Sequence, residues 1–196
     1  MQDKLLLATN NRGKVLEYRQ LLGGVPFQLV TPAELGINTV VEETGNSFAE
    51  NATLKATALA AESGLLALAD DSGLEVDALS GAPGNRSHRY AGENATDEDR
   101  VNFLLSRLGG VPMAKRTARF RCVIAITTPD GLTKLCDGAC PGFITFEPRG
   151  TNGFGYDPVF LLPSLNKTIA ELTLAEKNRV SHRARAAEKA RALLMR

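Results

Sequence analysis

Three short apolar runs, Lys4 to Thr9, Phe27 to Val30 and Leu65 to Ala69, alternate with two segments of helical period. This alternation constrains the chain more than any other feature, because strands that alternate with helices build βαβ units and a largely parallel sheet. Lys14 to Leu22 carries apolar positions at Val15, Leu16, Leu21 and Leu22 and stops at Gly23-Gly24. Ser47-Phe-Ala-Glu50 matches a capping box that opens an Ala-rich helix running to Ser63, with Gly64 as its glycine stop. The first third of the chain therefore reads β-α-β-α-β.

The remainder changes character. Thr96 caps a helix over Asp97 to Arg107, whose acidic first turn suits the helix dipole. Thr117 to Thr128 and Leu132 to Phe146 are β-rich and joined by Pro129-Asp130-Gly131, the pattern of a long hairpin. Thr173-Leu-Ala-Glu176 is a further capping box, and Ser181 opens a last helix to Met195. The predicted fold is thus an α/β single domain over residues 1–196, with a long mixed sheet and flanking helices.

Composition excludes several classes. Hydrophobic residues make up 43% and charged residues 23% of 196 residues, so disorder and coiled coil are ruled out. A formal net charge of +1 gives no bulk attraction to nucleic acid or to a membrane. Cys122, Cys136 and Cys140 form no CxxC and have no metal-ligand spacing with His88 or His182, which argues against a disulfide framework and a zinc site. The N-terminal apolar run is short and soon polar, unlike a signal peptide or membrane span, so a reduced cytoplasmic protein is expected.

Charge is uneven along the chain. Nine acidic residues stand between Glu34 and Asp77 against Lys55 alone, and seven basic residues between Lys177 and Arg196 against Glu188 alone. Most belong on solvated helix faces, but the two segments are also able to supply a metal site and an anion site. Thr9-Asn10-Asn11-Arg12-Gly13-Lys14 sits where a strand hands over to a helix, a position suited to phosphate. It is not a P-loop, because Ala8 and Val15 occupy the positions that need Gly and Ser or Thr. Asp70-Asp71-Ser72-Gly73 reads either as a β-turn or, with Glu42-Glu43, as hard oxygen ligands for Mg²⁺. Asn51 and Lys55 share one helix face. The loop from Gly150 to Asp157 holds Phe154 among glycines, where a planar ring could stack.

Taken together, ATNNRGK (8–14), EETGNSFAENATLKA (42–56), ADDSGLEVDAL (69–79), GAPGNRSHRYAG (81–92), GTNGFGYDPVF (150–160) and ELTLAEKNRVSHRARA (171–186) resemble the inosine triphosphate pyrophosphatase family, in the family's order. The resemblance implies a two-lobed α/β fold with the active site in the cleft, a homodimer, and Mg²⁺-dependent hydrolysis of ITP, dITP and XTP to monophosphate and pyrophosphate. It implies that Thr9 to Lys14 hold the triphosphate, that Asp71 is catalytic, and that Glu42 and Asp71 bind the metal. Lys55 and Ser72 match phosphate-side contacts; Phe154, Gly155, Tyr156, Asp157, Lys177, His182 and Arg183 match nucleoside-side contacts. Asn10 stands where the family commonly has glycine, and His88 departs from the usual pattern.

The chemistry agrees with this. A triphosphate brings about four negative charges, for which Lys14, Lys55, Lys177 and Mg²⁺ are the available cations. Donors on Arg183 and His182 are expected to favour a 6-oxo purine over adenine. A pyrophosphatase for modified pyrimidine or methylated nucleotides and a non-catalytic nucleotide sensor are the alternatives.

Overall fold

The computed structural model describes residues 2–195. Its elements are β1 (Asp3–Leu7), α1 (Arg12–Leu21), β2 (Phe27–Val30), α2 (Phe48–Ser63), β3 (Leu66–Val76), α3 (Asp97–Arg107), β4 (Thr117–Thr127), β5 (Thr133–Ile144), β6 (Phe160–Leu162), β7 (Lys167–Thr168), α4 (Leu174–Val180) and α5 (His182–Leu194). Among these residues seven strands form one sheet in the order β2-β1-β3-β4-β5-β6-β7. β1 runs parallel to β2 and β3, whereas β5, β6 and β7 pair antiparallel, so the sheet is mixed as expected.

The chain gathers into two compact units. One comprises the chain up to Asp71, Cys122–Gly138 and the chain from Arg183; the other comprises Ser72–Arg121 and Ala139–His182. In the first, Leu5, Leu7 and Leu68 pack with Tyr18 of α1 and Ala186, Ala187 and Ala190 of α5, while Leu6, Ala8, Ala67 and Ala69 pack with Ala52, Ala56 and Ala60 of α2. Both faces of β1 and β3 are therefore covered, which is why their apolar residues run consecutively instead of alternating. In the second unit, Leu74, Val76, Phe120, Ile144, Tyr156 and Phe160 form a core with Val101, Leu104 and Leu108 of α3.

Two sequence expectations need correction. Asp70-Asp71-Ser72-Gly73 is not a turn: β3 continues through it to Val76. The inward stripe of α1 is also not purely apolar: Leu22 and Tyr18 are buried as apolar residues should be, but Leu16 is 60% exposed while Glu17 is buried beside them. The period-3.6 neighbours of Tyr18 on that stripe are Lys14 and Leu21, so α1 carries two charged groups, Lys14 and Glu17, on its inward side.

Candidate active site

The first unit concentrates charge at the end of β1 and in the middle of β3. β1 ends at Leu7, and the chain turns through Thr9 and Asn10 into α1, whose N-cap is Asn11. The Thr9 hydroxyl accepts from the Asn11 N–H at 3.2 Å, and the Asn11 side chain accepts from the Lys14 N–H at 3.0 Å. Asn10 is not among the residues with left-handed φ, so the turn forms here without glycine. The first-turn N–H groups of Arg12 and Gly13 project from the helix end, as helix N-termini require. Asn10, Asn11 and Arg12 are exposed, which leaves this turn accessible to an anion.

Behind the turn lies a buried ionic cluster. Asp70 receives Lys14 Nζ at 3.0 Å and Arg183 Nη2 at 3.2 Å, and Arg183 Nη1 donates to Glu17 at 2.7 Å. Two cations thus face two anions. Burial opposes ionisation of Asp70, but Lys14, Arg183 and Lys55 overcome it and hold this carboxyl well below the usual carboxylate range. Tyr18 and Cys122 line the same place, and burial together with the Asp70 charge pushes the Cys122 thiol up to about 12.

Asp71, one residue on, is placed differently. Its Oδ2 accepts from Asn51 Nδ2 at 3.1 Å and its Oδ1 stands 3.9 Å from Lys55 Nζ, which bonds Glu43 at 2.6 Å. Asn51 also accepts from the Gly45 N–H at 2.8 Å, so one buried amide ties the acidic loop before α2 to Asp71. Burial pushes the Asp71 carboxyl above its ordinary value; Lys55 pulls against this and Glu43 adds to it. Burial works against the Lys55 ammonium, yet Asp70, Asp71 and Glu43 keep it raised. One lysine against two carboxylates leaves a local formal charge of −1.

Carboxylate oxygens are the ligands that a small hard cation takes. Among the described residues no group of three or more His, Cys, Asp and Glu could hold a metal. Mg²⁺ usually takes only one or two carboxylates and completes its shell with water and substrate phosphate. Glu42 is exposed, and its neighbour Glu43 is the one bonded to Lys55. Ser72 is partly buried within β3.

The second unit holds the glycine-rich loop. Asp157 is buried and receives Lys177 Nζ at 2.6 Å and the Phe154 N–H at 3.0 Å. Lys177 Nζ also sits 4.6 Å from the centre of the Phe154 ring, a cation–π contact. At Gly153 φ is +78°, and a Cβ there would fall 2.1 Å from an Asp157 carboxylate oxygen, so only glycine permits this fold of the loop. Tyr156 is buried and donates its hydroxyl to the Ser87 carbonyl at 2.8 Å. Phe154 remains partly exposed. His182 lies nearly flat on Phe120, with ring centres 4.7 Å apart.

Arg183 belongs to the buried ionic cluster of the first unit. It is 1% exposed, and its guanidinium faces Glu17 and Asp70. A side chain so engaged balances two buried carboxylates. Sequence reasoning also missed Glu17, whose one available signal was a carboxylate three residues after Lys14 on the inward stripe of α1.

A parallel β-α-β start, an exposed helix N-terminus and two adjacent buried carboxylates in β3 make this an α/β protein with a charged site at the end of β1 and in the middle of β3. Residues 5–193 match the Ham1 family, and the chain belongs to that family. It is 53% identical over 193 residues to the dITP/XTP pyrophosphatase of Desulforamulus reducens, covering 98% of this chain and 96% of that one. It is 46% identical over 194 residues to the dITP/XTP pyrophosphatase of Bacillus subtilis, covering 99% and 98%. The solved structure of a HAM1 protein from Coxiella burnetii superposes with a TM-score of 0.89 at 43% identity, covering 98% of both chains.

Proposed function

We propose that this chain hydrolyses the non-standard purine nucleoside triphosphates dITP, ITP and XTP to the monophosphate and pyrophosphate, clearing deaminated purines from the nucleotide pool. The names of its relatives support the activity, and one observation supports the chemistry. A buried carboxylate, Asp71, is held by Asn51 and Lys55 directly after the residue that holds Lys14.

On this reading Asp71 takes a proton from water as the water oxygen bonds to the α-phosphorus. The bond from that phosphorus to the oxygen bridging to the β-phosphate breaks, and pyrophosphate leaves with the electron pair. Asp71, held by Asn51 and facing Lys55, serves as the base on this reading. Thr9 to Lys14, Lys55 and Ser72 hold the phosphates, with Lys14 and Lys55 meeting the charge on the leaving group. Glu42 and Asp71 would hold Mg²⁺, which when bound would offset triphosphate charge as a Lewis acid. Phe154 stacks on the base, supported by Gly155, Tyr156, Asp157 and Lys177, and His182 contributes on the nucleoside side.

The protein works in the cytoplasm as a homodimer on this reading, as its likeness to the inosine triphosphate pyrophosphatases implies. Its three buried cysteines form no disulfide among the described residues, which suits a reducing compartment. No described helix is long and apolar enough to cross a membrane.

Product analysis tests the proposal. Incubation with dITP and Mg²⁺ is expected to give dIMP and pyrophosphate in equal amounts, and excess chelator is expected to abolish turnover. dIDP and phosphate as the main products would place attack at the γ-phosphorus, and full activity in chelator would remove the metal from the reaction.

A further inference from the structure

The acidic first turn of α3 does more than complement a helix dipole. Asp97, its first residue, accepts the Gly155 N–H on Oδ2 at 2.7 Å, across 58 positions of sequence. Its other oxygen pairs with Arg100. Arg100 is itself buried and donates to the carbonyls of His88 at 3.0 Å and Ala95 at 2.5 Å. Asp97 is exposed, yet it is paired through one oxygen and bonded to the glycine-rich loop through the other. Burial raises its affinity for protons, but the Gly155 N–H and Arg100 outweigh this and keep it ionised.

Gly155 follows Phe154 directly, and the Phe154 N–H is bonded to Asp157, which Lys177 holds. The two peptide N–H groups flanking the Phe154 α-carbon are thus each bonded to a carboxylate, Asp157 before it and Asp97 after it. Bonds at both neighbouring peptide groups fix the backbone from which the ring projects, and Lys177 lies against the ring, so its range of positions is narrowed before a ligand arrives.

We propose that Asp97 is a positioning residue for nucleoside binding, acting through the Gly155 N–H to hold the Phe154 ring in its stacking orientation. The proposal rests on the reading that Phe154 stacks on the base. The neighbouring Asp99 supplies the control, because it closes the capping box with Thr96 at the same helix end and makes no bond to the loop.

The test compares Asp97→Ala, Asp97→Asn, Asp99→Ala and Phe154→Ala, reading KM and kcat for dITP and the inhibition constant of inorganic tripolyphosphate, which has no base. Loss of one charge-assisted hydrogen bond in Asp97→Ala is expected to raise KM for dITP about tenfold. kcat and the tripolyphosphate constant should stay near wild type. Asp97→Asn keeps an oxygen for the Gly155 N–H without the charge; it is expected at an intermediate KM and carries the test if the alanine variant does not fold. Asp99→Ala should lower the melting temperature and leave KM unchanged. If Phe154→Ala raises KM but both Asp97 variants match wild type, the proposal falls and the stacking reading stands. If Phe154→Ala leaves KM unchanged, the stacking reading fails and the proposal with it. An equal rise in KM in Asp99→Ala, or an equal weakening of tripolyphosphate, would show a general loosening of the fold and overturn the positioning role.

Discussion

Asp70 and Asp71 are adjacent in β3, yet their surroundings move them in opposite directions. Lys14, Arg183 and Lys55 hold Asp70 charged, whereas burial raises Asp71 against Lys55 and Lys14, with Glu43 adding to the rise. The difference follows from neighbours and not from residue type. Arg183 is the other half of the first arrangement. Removing one partner from a buried ion pair leaves a charge uncompensated at a cost of about 3–5 kcal/mol. Arg183→Ala is therefore expected to lower the melting temperature by roughly 10 °C, at about 2–4 °C per kcal/mol for a chain of this size. It should weaken dITP and ATP hydrolysis alike; a loss confined to dITP, with unchanged melting, would return Arg183 to base recognition. The residue types of this site were legible in sequence, but their partners were not. Arg183 meets Asp70 and Glu17 across 113 and 166 positions, distances over which local pattern carries no information.

At the scale of elements, the sequence was most informative where a signal is local. Ser47 caps α2, Thr96 caps α3 and Thr173 caps α4, and Gly64 adopts φ 65° after α2, all as their residue types require. The failures came where burial decides. An Asp-Asp-Ser-Gly sequence has turn chemistry, but salt bridges to its carboxylates let β3 run through it. On α1 the apolar positions Val15, Leu16, Leu21 and Leu22 were legible, and Leu22 is buried, but the ion pairs that bring Lys14 and Glu17 inward while Leu16 is exposed were not. The capping boxes also set a pH dependence. The Glu176 carboxylate accepts from the Thr173 N–H and hydroxyl, which lowers its pKa from 4.5. A lowered folded pKa stabilises the fold above the unfolded value and loses that contribution as pH falls through the folded one. Thr173→Ala is expected to cost about 1 kcal/mol at neutral pH, read as a fall in melting temperature of about 2–4 °C. Glu176→Gln should flatten the acid-side decline in melting temperature. An unchanged decline would show that this cap carries none of it.

Over the whole molecule the formal charges nearly cancel, leaving +1, so the account depends on local imbalance. Lys14 and Arg183 against Asp70 and Glu17 sum to zero; Lys55 against Asp71 and Glu43 leaves −1. The second cluster therefore keeps a residual negative charge. Six motifs spread over most of the chain made the family legible from sequence, although no single one sufficed. The central claim is that Asp71 acts on the transition state more than on substrate binding. Its most direct test is Asp71→Asn, measured as kcat for dITP at saturating Mg²⁺ alongside the Kd for a non-hydrolysable dITP analogue. The account predicts a roughly thousandfold fall in kcat with Kd within about tenfold of wild type. A kcat close to wild type, in a variant that folds and binds normally, would contradict it.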